Sequence, residues 1–159
     1  MPLLIRLLTI ITSNNMEMTS VPEYIYEFTN SYLHLWVDTN IKLMYTEWLT
    51  LPTVIEYQDA GALFVRCLQK YKVEYWLMES NRLIGLPLAE QIQVIQEIAP
   101  AVAASSLKKV ARIISEKEDN RAMFENTVQE LKNKYQSKVK VNQFTSFNEA
   151  TNWITMIRA

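Results

Sequence analysis

Val73-Glu74-Tyr75-Trp76-Leu77-Met78-Glu79-Ser80-Asn81-Arg82 is the stretch on which the fold turns. From Val73 to Met78 it is almost continuously apolar or aromatic. A run this short and this apolar suits a strand covered on both faces, as in a parallel sheet. Both flanks read as helices. Upstream, Thr53 with Glu56 three residues later is a capping-box pair, so a helix starts there. Tyr57, Ala60, Phe64, Cys67, Leu68 and Tyr71 fall on one stripe of it, and Lys70 and Lys72 suit the negative end of its dipole. Downstream, a loop runs from Glu79 to Leu86. Pro87 then fits the first residue of a second helix, with Leu88, Ile92, Ile95 and Ala99 facing inward and Pro100 ending it. A buried strand between two helices is the grammar of a parallel sheet.

The remaining segments extend this pattern. Lys109 to Ser115 reads as another buried strand through Val110, Ala111, Ile113 and Ile114. Asp119 to Gln136 reads as a helix with Phe124, Val128, Leu131 and Tyr135 on one face. Lys138 to Phe144 is a last strand, placed near an edge by its lysines. Ser146 and Glu149 open a terminal helix with Phe147, Ala150, Trp153, Ile154 and Ile157 inward. Before Leu51-Pro52, three strands follow one another closely: Glu23 to Phe28, Tyr32 to Val37, and Ile41 to Thr46. In the third, Ile41, Leu43 and Tyr45 alternate with Lys42, Met44 and Thr46, the period of a half-buried strand. Short connections make these three an antiparallel meander. The order is βββ-α-β-α-β-α-β-α. The expected fold is α/β, a single mixed sheet with an antiparallel start and parallel strands thereafter.

Composition limits the functions open to such a fold. The chain has 159 residues, 49% apolar and 21% charged, with a formal net charge of −1. That is one domain, with no strong field towards nucleic acid. Residues 23–159 form the expected domain. Residues 1–22 form an N-terminal extension, either flexible or partly helical, or translation begins at Met16 or Met18. Its apolar run, Met1 to Ile11, is too short for a membrane span. It also lacks the basic start and small-residue cleavage site of a signal peptide. No later segment is long and apolar enough to span a bilayer. Cys67 is the one cysteine and His34 the one histidine, so neither an internal disulfide nor a Cys-rich zinc site can form. A single cysteine fits a reducing, cytoplasmic setting. Gly61 and Gly85 are the only glycines, too few for a phosphate-cradling loop. No cofactor or metal is expected.

Four features recur together. Trp48 follows the third strand. Tyr75 to Arg82 carries the phrase Tyr-Trp-Leu-Met-Glu-Ser-Asn-Arg. The buried strand Val110 to Ser115 follows the second helix. The chain closes on Phe144-Thr-Ser-Phe-Asn-Glu-Ala-Thr-Asn-Trp153-Ile. Together, over Glu23 to Ile157, they resemble the bacterial SpoIIAA-like branch of the STAS superfamily. Its fold is shared with anti-sigma-factor antagonists and related to CRAL-TRIO lipid-binding domains. The resemblance implies a regulatory module that binds a protein partner. The related lipid-binding fold implies an alternative, a carrier or sensor of a small apolar ligand or lipid. In the antagonists a turn reading Asp-Ser-Ser-Gly or Asp-Ser-Thr-Gly carries a phosphorylated serine. Here Glu79-Ser80-Asn81-Arg82 stands in that place without the glycine, so a phospho-switch at Ser80 is a third alternative.

The candidate surface for a ligand or partner is Ser80, Asn81 and Arg82, beyond the carboxyl end of a parallel strand, where ligands of open α/β sheets bind. Arg82 is available to pair an anion; an ordinary turn is the simpler reading. Trp36 and Trp48 join the candidates from a meander rich in aromatics: Tyr24, Tyr26, Phe28, Tyr32, Trp36, Tyr45 and Trp48. These either present an apolar surface for a lipid, a partner or a second copy of the chain, or pack under the domain's own helices and the extension. Cys67, on an apolar stripe, reads as a core thiol. His34, opposite Leu33 and Leu35, reads as a hydrogen-bonded sheet histidine. Glu116, Glu118 and Asp119 read as carboxylates at a helix N-terminus. No catalytic set emerges, and the expectation is a protein that is not an enzyme and that binds a protein partner or a second copy of itself.

Overall fold

A computed structural model describes residues 23–156. The extension 1–22, the alternative starts Met16 and Met18, and Ile157 lie outside the described residues. One six-stranded sheet is built from β1 (Ile25–Thr29), β2 (Leu33–Asp38), β3 (Leu43–Trp48), β4 (Tyr75–Glu79), β5 (Lys109–Ile113) and β6 (Lys140–Phe144). The strands lie side by side in sequence order. β1, β2 and β3 pair antiparallel, and β3 to β6 pair parallel. The α/β class and the mixed sheet are as the pattern predicts, and β6 lies at an edge.

Among the described residues the helices are α1 (Val54–Tyr71), α2 (Leu88–Ala104), α3 (Arg121–Tyr135) and α4 (Phe147–Ile154). Each crossover from β3 onward steps one strand in the same direction. With the usual right hand, such crossovers place their helices on one face. The cores agree. On the first face, Leu35, Met44, Trp48, Trp76 and Val110 pack with Tyr57, Phe64 and Leu68 of α1 and Val94 of α2. On the second, Trp36, Tyr45, Leu77 and Ala111 pack with Ala150 and Ile154 of α4.

Local chemistry fixes the helix ends. Thr53 Oγ1 accepts from Glu56 N–H at 3.1 Å, and Glu56 Oε1 accepts from Thr53 N–H at 2.9 Å, the full capping box. Ser146 Oγ accepts from Glu149 N–H at 3.3 Å. α1 and α2 approach closely at Gly61, where a Cβ would fall 2.7 Å from Val94 Cγ1.

Four expectations need correction. Pro100 lies inside α2 and does not end it. It stands on the exposed side, where its missing N–H and ring are accommodated. Pro87 caps α2 rather than opening it. α2 buries Gln91 and Val94, while Leu88, Ile92, Ile95 and Ala99 are only half-buried; the close approach of Gly61 of α1 to Val94 turns that side inward. β3 is not half-buried: Leu43, Met44, Tyr45 and Thr46 are all buried, because β3 is an interior strand packed on both faces. Among the described residues no helix is long and apolar enough to cross a membrane.

Candidate functional site

The parallel strands end together, and β4 leads into a 3₁₀ turn at Asn81–Leu83. Glu79 Oε1 accepts from Asn81 N–H at 3.1 Å, and Ser80 O accepts from Leu83 N–H at 3.1 Å. Ser80 N–H donates to Ile113 O at 2.9 Å, extending the pairing with β5. The turn therefore closes over Ser80. Ser80 is 1% exposed, and among the described residues its hydroxyl finds no hydrogen-bond partner. Asn81 and Arg82 are exposed. Arg82 Nη1 donates to Trp48 O at 3.2 Å and stands 3.8 Å from Glu47. Ser80, Asn81, Arg82 and Trp48 thus meet at one rim. Trp36 does not join them. It faces the second side of the sheet, is fully buried, and stacks on Tyr45 at 5.4 Å; among the described residues its indole N–H has no partner.

The first face of this rim holds a group that the sequence reading passed over. Arg112 is buried on β5. Its Nη1 donates to Gln143 Oε1 at 2.6 Å, and its Nη2 stands 3.4 Å from Glu118 Oε2. The guanidinium lies 4.3 Å from the centre of the Phe124 ring. Burial lowers its proton affinity, and Glu118 works against that loss. Glu118 therefore serves two partners: Oε2 faces Arg112, and Oε1 accepts from the N–H of Asn120, the N-cap of α3, at 3.3 Å. The available signal was a cation, Arg112, set between the apolar residues Ala111 and Ile113 of a buried strand. Nearby, Tyr57 of α1 packs on Trp48 at 5.4 Å, and burial pushes its phenol up to about 12.

The second face of the rim is a row of polar side chains. β-register sets His34 beside Glu47, and Glu47 beside Glu79. His34 Nε2 lies 3.0 Å from Glu27 Oε2, as a hydrogen-bonded sheet histidine would. Tyr45 donates its hydroxyl to Glu47 Oε1 at 3.3 Å. Burial pushes the Tyr45 phenol up, and Glu47 and Glu79 add to the effect. Burial likewise raises the Glu79 carboxyl, with Glu47 contributing. Among the described residues no group of three or more His, Cys, Asp or Glu is placed to hold a metal ion. Cys67 is buried with its thiol pushed up by burial, the opposite of what a nucleophile needs.

The meander aromatics divide between the faces. Tyr26, Phe28, Tyr32 and Trp48 pack on the first, with Tyr26 stacked on Tyr71 of α1 at 5.1 Å. Tyr24, Trp36 and Tyr45 pack on the second. Apolar surface is instead exposed where the sequence reading did not look, at Leu51, Ile55 and Ile84. The sequence matches no family model and no curated protein.

Proposed function

We propose that this chain is a cytoplasmic regulatory module that works by binding a protein partner, a second copy included, at the carboxyl rim of its sheet, in keeping with the STAS-like resemblance of its sequence. The observation that carries this reading is a group of exposed apolar side chains on the two loops of that rim. Ile55 is 70%, Leu51 50% and Ile84 47% exposed. Leu51 and Ile55 flank the start of α1, and Leu51 Cδ2 lies 3.5 Å from where Gly85 would carry a Cβ. The loop before α1 and the turn after β4 therefore approach each other, and Gly85 takes a φ of 102° that favours glycine. Exposed apolar side chains gathered beside a polar border mark interaction sites. Asn81 and Arg82 supply that border, and arginine is enriched where partners anchor.

Site-specific photo-crosslinking in the native host tests this. A photoreactive residue at Ile55 is expected to give one discrete adduct, which Ile84→Asp abolishes while circular dichroism stays unchanged. The same probe at Gln129, on the exposed side of α3, should give none. Equal adducts at both positions would overturn the reading. A phospho-switch at Ser80 is a variant of the same proposal. A kinase reaches the hydroxyl only if the 3₁₀ turn lifts, so Ser80→Glu should expose Leu83 and alter crosslinking at Ile55; unchanged crosslinking excludes the switch.

A second reading is supported by a separate feature. An apolar cavity of about 110 Å³ lies between α2, α3 and the sheet, walled by Trp76, Ile98, Val110, Phe124 and Val141. Cavities of about 150 Å³ hold benzene, and drug-sized ligands occupy roughly 300 Å³ or more. The carrier or sensor alternative therefore narrows from a whole lipid to a small apolar group.

A further inference from the structure

At the amino end of the same strands, a cleft of about 500 Å³ is lined by Lys108, Lys109, Lys138 and Lys140. Lys140 is the register partner of Lys109, and its N–H donates to Lys108 O at 2.9 Å. Two chain segments, 108–109 and 138–140, thus place four lysines along one cleft. Lys109 is already engaged, donating to Trp153 O and Met156 O at the end of α4. Lys108 shares Glu74 with Lys42. Among the described residues, Lys138 and Lys140 form no ion pair, and both are exposed.

This cleft adjoins the apolar cavity. Val139 lines both. Val102 and Ser137 of the cavity are followed in the chain by Ala103 and Lys138 of the cleft. We propose that the two form one site for a small anionic amphiphile, with a carboxylate or phosphate head among Lys108, Lys138 and Lys140 and a short apolar tail in the cavity. The proposal rests on the small-apolar-ligand reading above and adds the head group to it. Charge selects the head, because cations left without a partner favour an anion. Volume selects the tail, because about 110 Å³ admits a tail no bulkier than a small ring. A neutral molecule would leave the lysines unused, and a bare anion would leave the cavity empty.

The full chain is titrated with acetate, butanoate, hexanoate, octanoate, hexyl phosphate and hexanol. Binding is read by calorimetry and by tryptophan fluorescence, to which Trp76 in the cavity wall should respond. Affinity should rise about fourfold per methylene from butanoate and flatten once the cavity is full. Hexanoate or hexyl phosphate should bind at least tenfold more tightly than acetate or hexanol, and more weakly as salt is added. Lys138→Ala with Lys140→Ala should cost at least tenfold for hexanoate and nothing for hexanol. Ala99→Leu, which fills the cavity, should abolish the dependence on chain length without lowering the melting temperature. Val128→Phe is the second filling variant should the first misfold. If hexanol binds as tightly as hexanoate and ignores the lysine variants, the anionic head is refuted while the apolar-ligand reading survives. If no compound binds saturably, both fall. Equal binding of acetate and hexanoate would overturn the proposal in favour of a bare anion site.

Discussion

At the carboxyl end of β5, Arg112 and Glu118 face each other with side chains 4% and 6% exposed. At the amino end of the same strand, Lys108 reaches Glu74 with 62% of its side chain in solvent. One end withdraws its charges from water and surrounds them with Gln143 and the Phe124 ring. The other leaves most of its cations hydrated. Desolvation separates the two cases. A buried pair must be held in fixed geometry, because either partner alone would be stranded. A solvated lysine contributes little to folding and stays free to meet an anion. The carboxyl rim therefore has a rigid base beneath exposed apolar side chains, and the amino end has a field without a rigid commitment.

Arg112→Met should break this contrast most strongly. It strands Glu118 and Gln143 in the core, and loss of one partner of a buried pair costs about 3–5 kcal/mol. Urea unfolding measures the loss. Adding Glu118→Gln should recover a large part, since the uncompensated charge is then gone; no recovery would mean that the pair itself is not what Arg112 supports. Lys109→Met comes next. It is the one lysine of the amino end that is buried, with its ammonium 5.0 Å from the centre of the Trp153 ring. Its bonds to the Trp153 and Met156 carbonyls tie the end of α4 to β5. Hydrogen bonds to a charged group contribute about 1.5–3 kcal/mol, and relief of lysine desolvation offsets part of that. A loss near 1–2 kcal/mol is expected, with α4 amides the first to lose protection in hydrogen exchange. A loss as large as that of Arg112→Met would erase the contrast.

The order of the elements was legible because each carries a local signal. Thr53 and Glu56 open α1, and the apolar run through Trp76 marks an interior strand. The most buried side of α2 was not legible, because the approach of Gly61 to Val94 decides it and no local pattern shows that contact. At the site, Ser80 to Arg82 and Trp48 could be found from their place after parallel strands. Leu51, Ile55 and Ile84 could not, because an apolar residue in a sequence defaults to the core. Arg112 needed its partners, Glu118 and Gln143, which lie 6 and 31 residues away. The lysine cleft gathers three segments that no short pattern connects.

The smallest expected effect sharpens the contrast from within the carboxyl rim. On its second face, Glu79 is half-buried beside Glu47, Tyr45 and Arg82. Burial raises its carboxyl above the ordinary 4.5, Glu47 adds to this, and the Asn81 N–H and Arg82 work against it. A raised carboxyl means that the folded state resists ionisation more than the unfolded state does. No penalty exists below about 4.5, where the unfolded chain is protonated too. The penalty develops as pH rises and is complete above the raised folded value. Glu79→Gln keeps an oxygen for the Asn81 N–H and removes the charge. The variant should therefore be the more stable protein at pH 8, by less than about 1 kcal/mol, the range of partly solvated pairs. Its advantage should shrink to nothing near pH 4. Urea midpoints across that range decide the matter. An advantage that grows on acidification would mean that Glu79 is stabilised as an anion, which would assign its neighbourhood to the cations rather than to the carboxylates of the rim.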